Sequence, residues 1–260
     1  MAETSDSNRM DTLWAIDPRR CTPEAPSLYV LERYRLKREF AYNAMGAAAR
    51  YRSTVAAFAG WKRVFLSNAV TGVPGTFTQL FRIPKPFDPA ATRKALEAQP
   101  AHAEFFKKIE PQSFERRFLC PLQYDPVRTF DPADEARVEG AMNRVLASYS
   151  ESRDTPETVI LIDEFEVLPA KLPDLIAAKE GFFKNKVGQF GWDLIAAATD
   201  IGGQELPGAP IKVFQIWTLP NSNRLILTMR AMSQELEYRT KVLPCIVSEQ
   251  QHLEEPRAGQ

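Results

Sequence analysis

The chain has 260 residues, with 33 Lys and Arg balanced by 33 Asp and Glu, and 44% of its residues are hydrophobic. That length exceeds one usual domain of roughly 100–150 residues and can bury a large core, as one unit or as two. A formal net charge of zero provides no long-range field to concentrate nucleic acid or an anionic membrane surface, so neither is an expected partner.

Residues 1–26 are polar, rich in Ser, Asp, Asn, Arg and Pro without sustained periodicity, and predict a flexible arm outside the fold. Neither a signal-peptide core nor a run approaching the ~20 apolar residues that span a bilayer occurs, so a cytoplasmic location is expected. Cys21, Cys120 and Cys245 are odd in number, widely spaced and outside any C-x-x-C pattern, which points to unpaired thiols in a reducing compartment. In LYVLERYRL the alternation of Leu28, Val30, Tyr34 and Leu36 predicts a strand with Glu32 on its apolar face. Phe40, Met45, Ala48, Val55 and Phe58 then recur at helical spacing up to Gly60, a residue suited to a helix C-terminus. WKRVFLSNAV and TFTQLFRI predict a hairpin around VTGVPGT. Asp88 and Pro89 start a helix that Pro111 interrupts, and SFERRFLCPL closes the half as a short strand.

The same order returns in ETVILIDEFEVL, LPDLIAAKEGFFKNKVGQF, GWDLIAAATDI, IKVFQIWTL and RLILTMRAMSQELEYRTKV, the last stopping at Pro244. Tyr34 aligns with Phe165 and Trp61 with Trp192 at one constant offset, and Gln79-Leu80-Phe81 aligns with Gln215-Ile216-Trp217 after an insertion. The predicted fold class is α+β, with two tandem ferredoxin-like repeats at residues 27–122 and 158–254, and a short tail at 255–260. A connector at 123–157 carries a helix with Val138, Met142, Val145 and Leu146 on one face, long enough to pack across the molecule and lock the halves together.

With Tyr34 in LERYRL, Gly-Trp opening the second strand of each half, and an aromatic two residues after Gln in TQLFRI and FQIWTL, the chain resembles the NIPSNAP family. FFKKIEP and YRTKVLPCIVSEQQ, followed by HLEEP, resemble that family's C-terminal helix and closing strand. The resemblance implies the dimeric α+β barrel superfamily, whose members include cofactor-free oxygenases, cyclases, isomerases, decarboxylases and haem proteins. Where the family's hairpin strand commonly has His before a Leu-Trp pair, this chain has Gln79 and Gln215, and Phe81 replaces the Trp of the first half. Two copies in one chain could close the barrel without a partner, leaving one of two diverged pockets catalytic and the other structural; a further homodimer stays open.

Glu32 and Asp163 occupy matching positions on apolar strand faces, where burial would raise a carboxyl toward the pKa of a general acid or base. The alternative is an ion pair with nearby Arg or a solvated strand end. Tyr34, Trp61, Phe81, Phe165, Trp192 and Trp217 could line an aromatic cavity inside the barrel for an apolar ligand, or could be plain core. Arg82 and Arg33 could bind a carboxylate or phenolate at a cavity mouth. His102 and His252, the only two histidines, are expected in solvent, with haem ligation as a weaker alternative. Gly-x-Ser-x-Gly, P-loop and dinucleotide motifs do not occur. The expected function is an enzyme without an obvious cofactor (an isomerase, cyclase or monooxygenase) that uses Glu32 or Asp163 on a small apolar molecule. The competing reading is a non-catalytic binding protein with a filled barrel.

Overall fold

The computed structural model of the chain describes residues 11–21, 25, 27–40, 44–73, 75–126, 132–151, 159–185, 191–202, 208–219 and 225–256. Strand β1 (Ser27–Arg35) is followed by helix α1 (Ala44–Ala59), the hairpin β2 (Lys62–Ala69) and β3 (Thr76–Pro84), and strand β4 (Glu115–Pro121). Between β3 and β4, Asp88 caps helix α2 (Pro89–Glu97) by accepting from the Ala91 N–H at 3.0 Å. Pro100 then starts a separate helix, α3 (Pro100–Lys108). Gly60 ends α1 at φ 66°, a left-handed conformation that glycine adopts without a Cβ penalty. Gly60→Ala is therefore expected to lower unfolding free energy by about 1–2 kcal/mol in a urea titration, because only the backbone angle opposes the added methyl.

The second half repeats the order with β5 (Val159–Val167), α5 (Leu172–Asn185), β6 (Asp193–Asp200), β7 (Ile211–Leu219), α6 (Leu225–Gln234) and β8 (Ile246–Pro256). The last helix, expected to run unbroken to Pro244, is interrupted after Gln234, and a wider turn at Tyr238–Val242 follows. The break turns Tyr238 and Val242 into the core while Leu236 stays exposed. Each half is a four-stranded antiparallel sheet, ordered β4-β1-β3-β2 and β8-β5-β7-β6, and the β2–β8 and β4–β6 seams close an eight-stranded barrel.

Because side chains alternate across a strand, each sheet has two faces, and they build different cores. One face fills the barrel with Tyr29, Leu31, Phe65, Leu80, Ile162 and Phe214. Further along that face Arg33 pairs with Glu164 at 3.2 Å, and Lys212 reaches the same carboxylate at 2.7 Å. The connector supplies helix α4 (Pro132–Glu151), whose Val138, Ala141 and Met142 pack on this interior. Asp125 adds a polar tie: it accepts from the Tyr29 hydroxyl of the first half at 3.0 Å and from the Ala197 N–H of the second at 2.8 Å. The opposite faces carry Val30, Tyr34 and Phe81 against α1 to α3, and Leu161, Phe165 and Trp217 against α5 and α6. The aromatic residues expected to line the barrel thus face the helices instead, since their strand parity opposes that of the true interior.

Three further expectations change. Residues 1–10 of the predicted arm lie outside the described residues, but Trp14, Cys21 and Ala25 are buried in the first-half core. Trp14 packs between Trp61 and Phe118 with the Arg116 guanidinium 4.1 Å above its ring, so a polar composition conceals one anchoring aromatic. Cys21 and Cys120 form a disulfide and only Cys245 is a free thiol, which removes the cysteine argument for a reducing compartment. His102 is buried with its ring on Phe106, and His252 is half-buried in strand β8, so neither is the solvent-exposed histidine expected. Residues 127–131, 152–158 and 257–260 of the connector and tail, and the side chains of Val145 and Leu146, lie outside the described residues. No helix among the described residues is long and apolar enough to cross a membrane.

Candidate functional site

Glu32 and Asp163 hold equivalent places in the two sheets. Glu32 lies opposite Gln79 on β3 and Arg116 on β4, and Asp163 lies opposite Gln215 on β7 and Gln251 on β8. Each acid therefore sits in the second strand of its sheet, on the helix-covered face, with a glutamine beside it. Their surroundings then diverge.

In the first half every neighbour closes on the carboxylate. Arg116 donates to Glu32 from Nε at 2.8 Å and from Nη2 at 2.6 Å, Gln79 Nε2 donates at 2.6 Å, and the Tyr51 hydroxyl of α1 donates at 3.0 Å. Around this pair Tyr51 stacks on Phe105 at 4.4 Å, Tyr34 meets Phe105 edge-on, and Trp61 tilts against Phe81. His102 packs against Tyr51 and Phe106 in the same layer, and burial followed by the nearby Arg116 charge brings its pKa down to about 4. This half is an aromatic layer around a buried ion pair in which Glu32 accepts from Arg116, Gln79 and Tyr51, while Arg116 Nη1 has no hydrogen-bond partner among the described residues.

In the second half the sheet contributes Gln251 where the first has Arg116, and the cation comes from the helix. Lys179 stands on the buried face of α5 with Leu175, Ala178 and Phe182, at the position that Ala48 occupies in the first half. Its ammonium donates to Gln215 Oε1 at 2.7 Å and lies 3.8 Å from the centre of the Phe165 ring. Gln215 in turn donates from Nε2 to the Tyr124 hydroxyl at 2.7 Å, which fixes which end of the amide faces the ammonium. Phe182 replaces Tyr51, so α5 offers the acid no hydroxyl at that position.

A cavity of about 140 Å³ remains, lined by Asp163, Lys179, Trp192, Trp217, Met229 and Tyr238 among others. Asp163 Oδ1 is buried and makes no hydrogen bond among the described residues. Burial pushes the Asp163 carboxyl up to about 7 against the pull of the Lys179 charge, and burial brings the Lys179 ammonium down to about 8 against the pull of Asp163. The site thus places a proton acceptor with a raised pKa near a cation that can stabilise a developing anion, in a cavity whose wall combines two indoles and two thioethers with the polar Ser233, Gln251 and Glu249, the last of which also raises both pKa values.

Among solved structures, a candidate monooxygenase from Fusobacterium nucleatum subsp. nucleatum is similar with a TM-score of 0.53 at 9% identity, over 89% of this chain and 93% of that one. An anthrone oxidase-like protein is similar with a TM-score of 0.51 at 10% identity, over 90% of this chain and 92% of its own. The chain has the dimeric α+β barrel fold. Both halves of that barrel, which the name assigns to two subunits, are here supplied by one chain. A NIPSNAP family protein of unknown function from Agrobacterium tumefaciens covers 41% of this chain and 97% of its own at 19% identity, with a TM-score of 0.31. No protein-family profile and no curated protein sequence matches the chain.

Of the residues singled out in the sequence, the barrel brings Asp163, Phe165, Trp192 and Trp217 together. Glu32, Tyr34, Trp61 and Phe81 lie in the closed first half, and Arg82 lies elsewhere, paired with Glu135 of α4 at 2.5 Å. Arg33 points into the barrel toward Glu164. Sequence reasoning missed Lys179, Tyr124, Tyr238 and Met229. Lys179 had a signal, a lysine on the apolar face of LPDLIAAKEGFF four residues after Leu175; Tyr124 lies in a connector with no periodicity to place it. Among the described residues no group of three or more His, Cys, Asp or Glu is arranged to hold a metal ion.

Proposed function

We propose that this barrel is an enzyme that moves a proton on a small, largely apolar molecule in the second-half cavity, with Asp163 as the base and Lys179 as the stabiliser of the resulting anion. The observation that supports it most is a buried carboxyl with an unbonded oxygen facing a cavity beside an ammonium. At about 140 Å³ the space compares with an engineered apolar cavity of about 150 Å³ that holds benzene, so the substrate presents one ring or its equivalent. Its acidic hydrogen is on a carbon beside a carbonyl, or on a phenol or enol. Asp163 removes that proton and the oxygen that gains charge faces the Lys179 ammonium.

Isomerisation, cyclisation and reaction of a carbanion with dioxygen all begin with this step, and one of the similar structures is described as a monooxygenase. The packed barrel interior is the feature that favours a purely binding protein, but it lies on the other side of the sheet from the cavity.

Hydrogen–deuterium exchange at the carbon beside the carbonyl of monocyclic ketones, followed by NMR in D₂O, tests the proposal. The protein is expected to accelerate exchange for at least one ketone, and Asp163→Asn to remove the acceleration while Glu32→Gln, where it folds, keeps it. Equal acceleration by Asp163→Asn would remove Asp163 as the base.

A further inference from the structure

Beside the Cys21–Cys120 disulfide lies a cavity of about 200 Å³ that shares no lining residue with the Asp163 cavity. Cys21 is part of its wall, with Ile16, Leu28, Phe87 and Ile201 as apolar neighbours. Among the described residues Lys85 is the one charged side chain in that wall, and its ammonium lies 3.5 Å from Cys21 Sγ. Cys120 does not line the cavity and is 2% exposed against 8% for Cys21, so of the two sulfurs it is Cys21 that a solute in the cavity meets. The bond also holds a seam. Cys120 pairs with Thr199 where β4 meets β6, and the segment before Cys21 reaches the same seam through the Asp17 N–H, which donates to the Ile201 carbonyl at 2.7 Å, and through the Ile16–Gly202 bridge.

We propose that Cys21 is a modification site, at which a small thiol carrying a carboxylate adds to Cys21 and releases Cys120. The attacking species is a thiolate, and both its sulfur and its carboxylate are drawn to the Lys85 ammonium, while the carbon chain lies on Ile16, Leu28 and Phe87. In the step the incoming sulfur bonds to Cys21 Sγ and the bond between Cys21 and Cys120 breaks. Its electron pair leaves on Cys120 Sγ, which takes up the proton that the incoming thiol gave up. One disulfide replaces another, so the step needs no oxidant or reductant beyond the thiol itself. The product lacks the covalent tie between residues 99 apart in the chain, so thiol in the surroundings would tune the stability of this half.

The oxidised full chain is incubated with mercaptoacetate, mercaptoethanol or cysteamine, which are anionic, neutral and cationic, then quenched in acid and mapped by mass spectrometry. Each rate is divided by that of the same thiol on an uncharged peptide disulfide, which removes differences in intrinsic thiol reactivity. The normalised rate is expected to be on the order of fivefold higher for mercaptoacetate than for cysteamine, with the adduct on Cys21 and Cys120 free. Lys85→Met is expected to bring the three rates together and Lys85→Glu to reverse their order, with circular dichroism reporting that each variant is folded. A chain that keeps both thiols free in air, a disulfide inert to all three reagents, or an adduct on Cys120 overturns the site. So do three equal rates in wild type, or an order that folded Lys85→Glu leaves unchanged.

Discussion

Replacing Glu32 with glutamine is expected to cost about 3–5 kcal/mol of unfolding free energy, because it leaves the Arg116 guanidinium buried without its counter-charge. Both side chains are fully excluded from solvent, and Glu32 accepts from Arg116, Gln79 and Tyr51 together. The guanidinium also lies 4.1 Å from the Trp14 ring, so the loss would spread to the N-terminal segment. The pair and its single-site loss are separable by a second variant. Glu32→Leu combined with Arg116→Met removes both charges and offers apolar packing in their place, and such exchanges are often neutral or stabilising. Equilibrium urea unfolding should show the double variant recovering most of what Glu32→Gln loses. A single variant within about 1 kcal/mol of wild type would mean that the ion pair is not a structural brace, and Glu32 would return as a candidate base.

The acid position itself was legible in the sequence, because a carboxylate on a strand face of Val, Leu and aromatic residues is conspicuous at period two, and the same offset relates Glu32 to Asp163. The strand and helix order was legible from the same periodicities, except that the one helix expected between Asp88 and Pro111 divides at Pro100. Which face of the sheet enters the barrel was not. Both faces of β1 and β5 are apolar, as strands covered on both sides must be, so alternation fixes two faces without naming which is inside. The aromatic residues were therefore assigned to the barrel and belong beneath the helices. The two halves also look alike as sequences, but their chemistry separates through three exchanges spread over different elements. Arg116 of β4 is matched by Gln251 of β8, Ala48 of α1 by Lys179 of α5, and Tyr51 by Phe182. Each is ordinary alone, and only the pairing of strands shows that all three surround one carboxyl. The buried Trp14 and the Cys21–Cys120 bond depend on contacts across most of the first half, which no local pattern encodes.

Asp163→Asn is expected to lower turnover by about 10²–10⁴-fold, the usual contribution of a positioned base, and to change the pH dependence of stability in a direction set by the raised carboxyl. Between the ordinary value of 3.8 and about 7, folded protein keeps a proton on Asp163 that unfolded protein has already released. Stability contributed by this residue therefore falls as pH rises through that window and is level above it. Asparagine has no such proton, so the melting temperature of Asp163→Asn relative to wild type should climb from pH 4 to pH 7. Lys179 acts oppositely at higher pH: its folded value near 8 lies below the ordinary 10.5, so stability is regained as pH rises across that interval. On the proposed mechanism the same two groups give a bell-shaped activity profile, rising as the Asp163 carboxyl ionises and falling as the Lys179 ammonium loses its proton. Differential scanning calorimetry of both proteins from pH 4 to pH 10 reads the linkage without any substrate. A constant difference across the acid window would show a carboxyl with ordinary acidity, a weak proton acceptor at neutral pH, and would count against Asp163 as the base.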